Sequence, residues 1–227
     1  MNITEETKVG EIATQHPMAT RVFSRHGIDF CCGGGVPLQT ACELRGLSTS
    51  DVLGEIEHVL AGSDPDLDRW DEAPVADLVQ HIVDAYHLPL REELPRLESM
   101  ARKVARVHGD KDTERLGGIL ETFLRLEAEL GDHMAREEDV LFPEILRHGE
   151  GSDLPVEPFV DDHSDAGQAL AVLRELTDDY QVPEGACNTW RALWHGLEAL
   201  EQSLHLHIHL ENNVLFPRVG GAHATGR

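Results

Sequence analysis

Residues 205–217 read HLHIHLENNVLFP. Three histidines fall on alternate positions, a period that by itself suggests a strand. A second stretch settles the reading. From His133 the chain runs HMAREEDVLFP, and from His207 it runs HIHLENNVLFP. Both fit H-x-x-x-E-[EN]-[DN]-V-L-F-P at an offset of 74 residues. An eleven-residue pattern occurring twice marks an internal duplication, and it selects His207 over His205 and His209. Helical geometry selects it too. At about 100° per residue, Leu200, Leu204, Ile208 and Leu215 share one face, with His207 and Glu211 inside its arc. His205 and His209 fall outside it, on a polar side with Glu201 and Asn212. In the earlier copy, Leu126, Leu130, Met134 and Leu141 make the apolar face, with His133 and Glu137 inside it. The stretch is predicted to be helical, with one inward histidine.

A histidine and a glutamate four residues apart share a helix face, about 5–6 Å apart at Cβ. Burying both costs free energy unless they are paired or bind a metal. A duplicated bundle should repeat the contribution of its other helices. His87 lies among Val83, Leu90 and Leu94; His163 lies among Phe159, Ala166, Leu170 and Leu173. These two are 76 residues apart, close to the offset of the repeat. The predicted constellation is His87, His133, Glu137, His163, His207 and Glu211. Imidazoles with carboxylates suit two metal ions with open positions, and a dinuclear non-haem iron centre fits best; zinc and manganese stay open on ligand type. Ferritin-like bundles use Glu-x-x-His, so the His-x-x-x-Glu order here argues against an iron store or ferroxidase. His16, His26, His58, His81, His108, His148, His195 and His223 show no repeat logic and are read as surface or capping residues.

Around this core the chain reads as all-α. Four long amphipathic segments, near 74–107, 112–147, 155–179 and 187–218, are separated by HGDKD, HGEGSDLP and QVPEGAC, which carry stop and start signals. They predict an up-down four-helix bundle over 74–220. Pro89 and Pro95 should each kink or break the first helix. Residues 62–74, polar and acidic with Pro65 and Pro74, read as a linker. Residues 1–62 read as a small domain of short helices near 8–15, 17–26, 37–46 and 48–61, with Gly27 and Gly46 as C-caps and Ser48 as an N-cap.

Composition limits the partners. Among 227 residues, 41% are hydrophobic but only 5% aromatic, a mix that favours helices with Leu, Val, Ile and Ala cores. A formal net charge of −23 opposes binding to nucleic acid or an anionic membrane surface. No apolar run approaches the roughly 18 residues of a membrane span, and the N-terminus lacks the apolar core of a signal peptide. Cys31, Cys32, Cys42 and Cys187 do not form a disulfide framework, so a reducing cytoplasm is the expected compartment. Cys42 and Cys187 are read as packing residues. DFCCGGG, residues 29–35, is different. It is either two small buried residues beside a flexible turn or a thiol pair handling electrons, metal or NO. The glycines would allow positive φ or close approach to another surface.

HGIDFCCGGG, a linker and two HxxxE…VLFP motifs together resemble the bacterial iron–sulfur cluster repair di-iron proteins, the RIC or YtfE/ScdA family. The resemblance covers nearly the whole chain. It implies a small ScdA-type N-terminal domain before a hemerythrin-like bundle. It implies that His87, His133, His163 and His207 ligate two non-haem iron ions, with Glu137, Glu211 and an oxo or hydroxo group bridging. It also implies repair of clusters damaged by nitric oxide or oxidants, through iron donation, reduction of NO to N2O, or both. Cys31 and Cys32 would relay electrons or NO, and Glu129, one turn before His133, would move protons. The implied partners are NO or O2, damaged iron–sulfur proteins and an electron donor; a homodimer is compatible with the sequence. Asp162 stands where the family pattern leads one to expect glutamate, and Pro89 is unusual two residues after a ligand. The alternative is a hemerythrin-like protein that reversibly binds or senses O2 or NO.

Overall fold

Residues 3–61, 69–110 and 112–220 are described by a computed structural model. Residues 62–68, most of the predicted linker, and His223 lie outside the described residues. The fold is all-α, with no strand among the described residues. The chain divides into two compact units.

The first unit comprises residues 1–80, 144–160 and 205–227. It opens with four short helices: α1 (Val9–Gln15), α2 (Thr20–His26), α3 (Leu38–Arg45) and α4 (Thr49–Ala61). Gly27 and Gly46 take the left-handed conformation that ends α2 and α3, as their C-cap positions require. Ser48 Oγ accepts the Asp51 amide at 3.4 Å, capping α4. Val9, Ile12, Val22, Phe23, Phe30, Leu38 and Ile56 form an apolar centre. Burying each contributes about 1.5–3 kcal/mol.

The second unit comprises residues 81–143 and 161–204. It contains the end of α5 (Val75–Ile82), α6 (Leu88–His108), α7 (Thr113–Arg136), most of α9 (Glu157–Leu176) and most of α10 (Asn188–His209). A Cβ on Gly196 would stand 2.5 Å from Leu97 Cδ2, so α10 meets α6 closely. Glu201 of α10, placed on the polar side by sequence, is buried, because Arg174 of α9 pairs with it at 2.6 Å. Trp194 is fully buried and donates its indole N–H to the Thr177 carbonyl at 3.2 Å.

The long segments are not uniform α-helices. Three π-helical segments interrupt them: π1 (Val83–His87), π2 (Glu137–Leu141) and π3 (Leu210–Leu215). A proline follows each: Pro89 in α6, Pro143 in α8 (Phe142–His148) and Pro217 in α11 (Phe216–Val219). Proline lacks the helical donor, and its ring strikes the carbonyl four residues back. In all three cases that carbonyl, of Ala85, Asp139 or Asn213, belongs to a π segment, where the wider turn has already interrupted the α ladder. Pro89 therefore marks a break, as predicted. Pro95 does not, since α6 runs through it.

Candidate metal centre

The π segments carry the ligand candidates. His87 closes π1, Glu137 opens π2 and Glu211 is the second residue of π3. His133 and His207 occupy the last turns of α7 and α10, and His163 lies in α9. All six side chains are at most 4% exposed. An isolated π turn adds one residue to the helix and re-aims the side chains after it, which is why such turns gather at functional sites.

Four of the six belong to the second unit. Glu137 is fully buried, and neither of its oxygens accepts a hydrogen bond. His87 Nε2 and His133 Nε2 face it at 3.4 and 3.3 Å. His163 Nε2 lies 3.0 Å from His133 Nε2. Donor atoms of His133, Glu137 and His163 all fall within 4.8 Å of one another. The tautomers follow from the outer partners. His87 donates Nδ1–H to Glu138 at 2.7 Å, and His133 donates Nδ1–H to Asp162 at 3.0 Å. Each thereby turns its Nε2 lone pair inward. Arg91 holds Glu138 at 2.8 Å, and Arg136 holds Asp162. Burial pushes both carboxyls up, but the hydrogen bonds from His and Arg outweigh it and hold both below the usual carboxylate range. Phe142 stacks on the His87 ring, with centroids 5.7 Å apart.

These residues fit a metal. A buried carboxylate without hydrogen bonds, facing imidazole lone pairs, is costly in an empty core and satisfied by a cation. Two imidazole nitrogens bound to one ion at a right angle, each about 2.1 Å from it, stand about 3.0 Å apart, and at a tetrahedral angle about 3.4 Å; the 3.0 Å between His133 and His163 fits the former.

The first unit holds the second copy. His207 Nε2 and Glu211 Oε1 are 3.0 Å apart. Here the neighbouring residues have a different task. Asn213 Nδ2 donates to the carbonyls of Phe30 and Cys31 at 3.3 and 3.1 Å, and Asn212 Nδ2 reaches the Cys31 carbonyl at 3.4 Å. His209, expected on the polar side, is 4% exposed. Its Nδ1 lies 3.4 Å from the Phe30 carbonyl, and its ring packs against Phe30 at 5.6 Å. Burial lowers the His209 pKa to about 4, against hydrogen bonds to the Phe30 and Ala13 carbonyls that raise it. The face read as polar by periodicity is covered by the cysteine loop.

Cys31 is buried and Cys32 exposed; both are thiols. Their sulfurs are 3.7 Å apart. Asp29 Oδ1 accepts both amides, at 3.0 and 2.9 Å, and lies 3.3 Å from Cys31 Sγ. The hydrogen bond with Cys32, burial and the charge of Asp29 push the Cys31 thiol well up. None of Gly33, Gly34 and Gly35 has positive φ. The requirement at Gly34 is close approach. A Cβ there would stand 2.6 Å from the Phe30 carbonyl oxygen and 2.9 Å from Gly10 Cα.

Glu129 is half-exposed, with Arg125 at 3.9 Å. It lines a cavity of about 310 Å³ with Asp132, Arg136, Asp162 and Asp165, and His133 and His163 form its floor. The carboxylates that hold the histidines are Glu138 and Asp162. Cys42 is buried, as read. Cys187, expected to pack, is exposed, with His108 Nε2 at 3.3 Å. Sequence reading missed Glu138. The departure of the second copy from the first at this position was the available signal.

Residues 78–219 match the family described as the Hemerythrin HHE cation binding domain. Residues 5–60 match ScdA_N, described as a domain of unknown function (DUF542). The iron-sulfur cluster repair protein YtfE of Pectobacterium atrosepticum is 41% identical over 215 residues, covering 94% of this chain and 96% of that protein. The protein of the same name from Edwardsiella ictaluri is 42% identical over 216 residues, with 94% and 96% covered. A probable iron-sulfur cluster repair protein of Haemophilus influenzae is 35% identical over 216 residues, with the same coverage.

Proposed function

This chain belongs to the iron–sulfur cluster repair family, and on that premise we propose that it restores iron–sulfur clusters damaged by nitric oxide or oxidants, using a pair of iron ions. His87, His133, His163 and His207 would ligate the ions, and Glu137 and Glu211 would bridge them. The observation that carries this reading is the buried Glu137 carboxylate, free of hydrogen bonds and facing two imidazoles. A ferrous pair supplies open coordination positions and electrons for NO or O2, and labile iron for a client cluster.

The chain's own residues do the rest. Glu138 and Asp162 fix the tautomers of His87 and His133 and raise their basicity as ligands. The cavity over His133 and His163 is walled by Glu129, Asp132, Asp162 and Asp165 against the single cation Arg136. That balance draws cations to the histidine floor, and Glu129 would exchange protons with solvent there. The cysteine loop is built onto the helix of His207 and Glu211, an investment that a reversible O2 carrier does not require. Clients would be damaged iron–sulfur proteins, served with an external electron donor in the cytoplasm. Among the described residues no helix is long and apolar enough to cross a membrane.

The test is metal content and repair in one preparation. Anaerobically purified protein should carry about two iron per chain and reactivate an NO-damaged iron–sulfur enzyme. His207→Ala should lose both properties. A protein that binds zinc alone, or that forms a stable reversible O2 adduct without repairing clusters, would overturn the proposal.

A further inference from the structure

We propose that Asp29, Cys31 and Cys32 form a second metal site, distinct from the bundle centre, that takes one thiophilic divalent cation such as Fe2+ or Zn2+. Their donor atoms lie within 4.8 Å of one another. The distance between the sulfurs suits such an ion. Two thiolates bound tetrahedrally, each at about 2.3 Å from one ion, stand about 3.8 Å apart. The observed separation is 3.7 Å, whereas a disulfide bond is about 2.05 Å long. The Asp29 oxygen, 3.3 Å from Cys31 Sγ, completes one face of a tetrahedron. Because Cys32 and Asp29 are exposed, a fourth donor can come from water or from a client.

The loop holds this spacing without a metal. Adjacent cysteines ordinarily point their side chains apart. Here Asp29 Oδ1 gathers both amides, which folds the two residues over the carboxylate. Asn212, Asn213 and His209 fix the carbonyls on the opposite side of the same backbone. Gly33 and Gly34 leave no room for a Cβ; on Gly33 it would stand 2.9 Å from Asp29 Oδ2. Such preorganisation lowers the cost of assembling a site.

Binding converts two thiols to thiolates, so one divalent ion displaces two protons and leaves the site with one net negative charge, counting Asp29. No electron moves. Affinity therefore falls as pH is lowered. The site sits on the helix bearing His207 and Glu211, at the turn where Asn212 and Asn213 follow the ligand Glu211.

Cobalt(II) tests this, because thiolate-to-cobalt charge transfer is absent from histidine–carboxylate sites. Metal-stripped full-length protein, kept reduced without added thiol and free of oxygen, is titrated with Co2+. The expected result is a charge-transfer band whose intensity at saturation corresponds to one thiolate-bound ion per chain, with about two protons released beyond those released by the Cys31→Ser protein. The band should be lost in both Cys31→Ser and Cys32→Ser and retained in His163→Ala, which changes only a bundle ligand. Asp29→Asn, which can still accept the loop amides, should keep the band and weaken binding roughly tenfold. No thiolate band in the wild-type protein, or a band that survives Cys31→Ser and Cys32→Ser and so belongs to Cys42 or Cys187, would overturn the proposal.

Discussion

The two copies of the eleven-residue motif agree at histidine, glutamate and the closing V-L-F-P, and differ where the first has Glu138 and Asp139 and the second has Asn212 and Asn213. The shared positions have the same physical task in both copies. Each histidine precedes a buried glutamate by one turn, each glutamate lies in a π segment, and each proline follows that segment. The differing positions face different neighbours. Glu138 accepts a proton-bearing nitrogen from His87, a role for a carboxylate. Asn212 and Asn213 face carbonyl oxygens of Phe30 and Cys31, where an acceptor would repel and only an amide N–H can bond. Duplication kept the inward histidine and glutamate and released the residues behind them to follow their new surroundings.

This contrast can be broken at several points, in descending order of effect. His133→Ala and His207→Ala should behave alike, each leaving less than half the iron of the wild-type protein by elemental analysis. Unequal losses would mean that the copies are not equivalent where they look identical. Exchanging the outer residues should separate the copies. Glu138→Asn removes the carboxylate on His87 Nδ1 and should weaken iron binding about 10–100-fold in a competition titration, without loosening the cysteine loop. Asn213→Asp should do the reverse. It sets a carboxylate against two carbonyls and should destabilise loop docking by about 1–3 kcal/mol, seen as faster hydrogen exchange over residues 29–35 and faster alkylation of Cys31, with iron content retained. Gly34→Ala probes the same docking by crowding. A methyl 2.6 Å from the Phe30 carbonyl oxygen should cost about 1–3 kcal/mol in thermal or denaturant unfolding. A neutral result there would show that the loop has room to shift.

Much of the molecule is legible in its sequence. The four short N-terminal helices, the caps Gly27, Gly46 and Ser48, and the long amphipathic segments follow from spacing and stop signals, since each depends on residues close in sequence. The repeat was enough to single out His207 among three alternating histidines, and periodicity placed Glu137 and Glu211 inward.

Other features depended on contacts between distant residues. Periodicity assigned His209 to solvent because it counts only the helix's own residues, whereas Phe30, distant in the chain, buries it. Residue type alone suggests packing for Cys187, yet it lies at the surface beside His108. The glycines after Cys32 were legible as special but not for which reason; crowding against Gly10 and Asp29, not positive φ, decides. Glu138 and Asp162 became histidine partners only once α7 met its neighbours. The helices and the apolar stripes they bury follow from periodicity, a local property of the chain. The positions of the π turns, the burial of Glu201 and His209 on the polar side, and the partner of each outer residue follow from tertiary contacts. Those outcomes depend on side chains tens of residues apart, whose meeting no local pattern records.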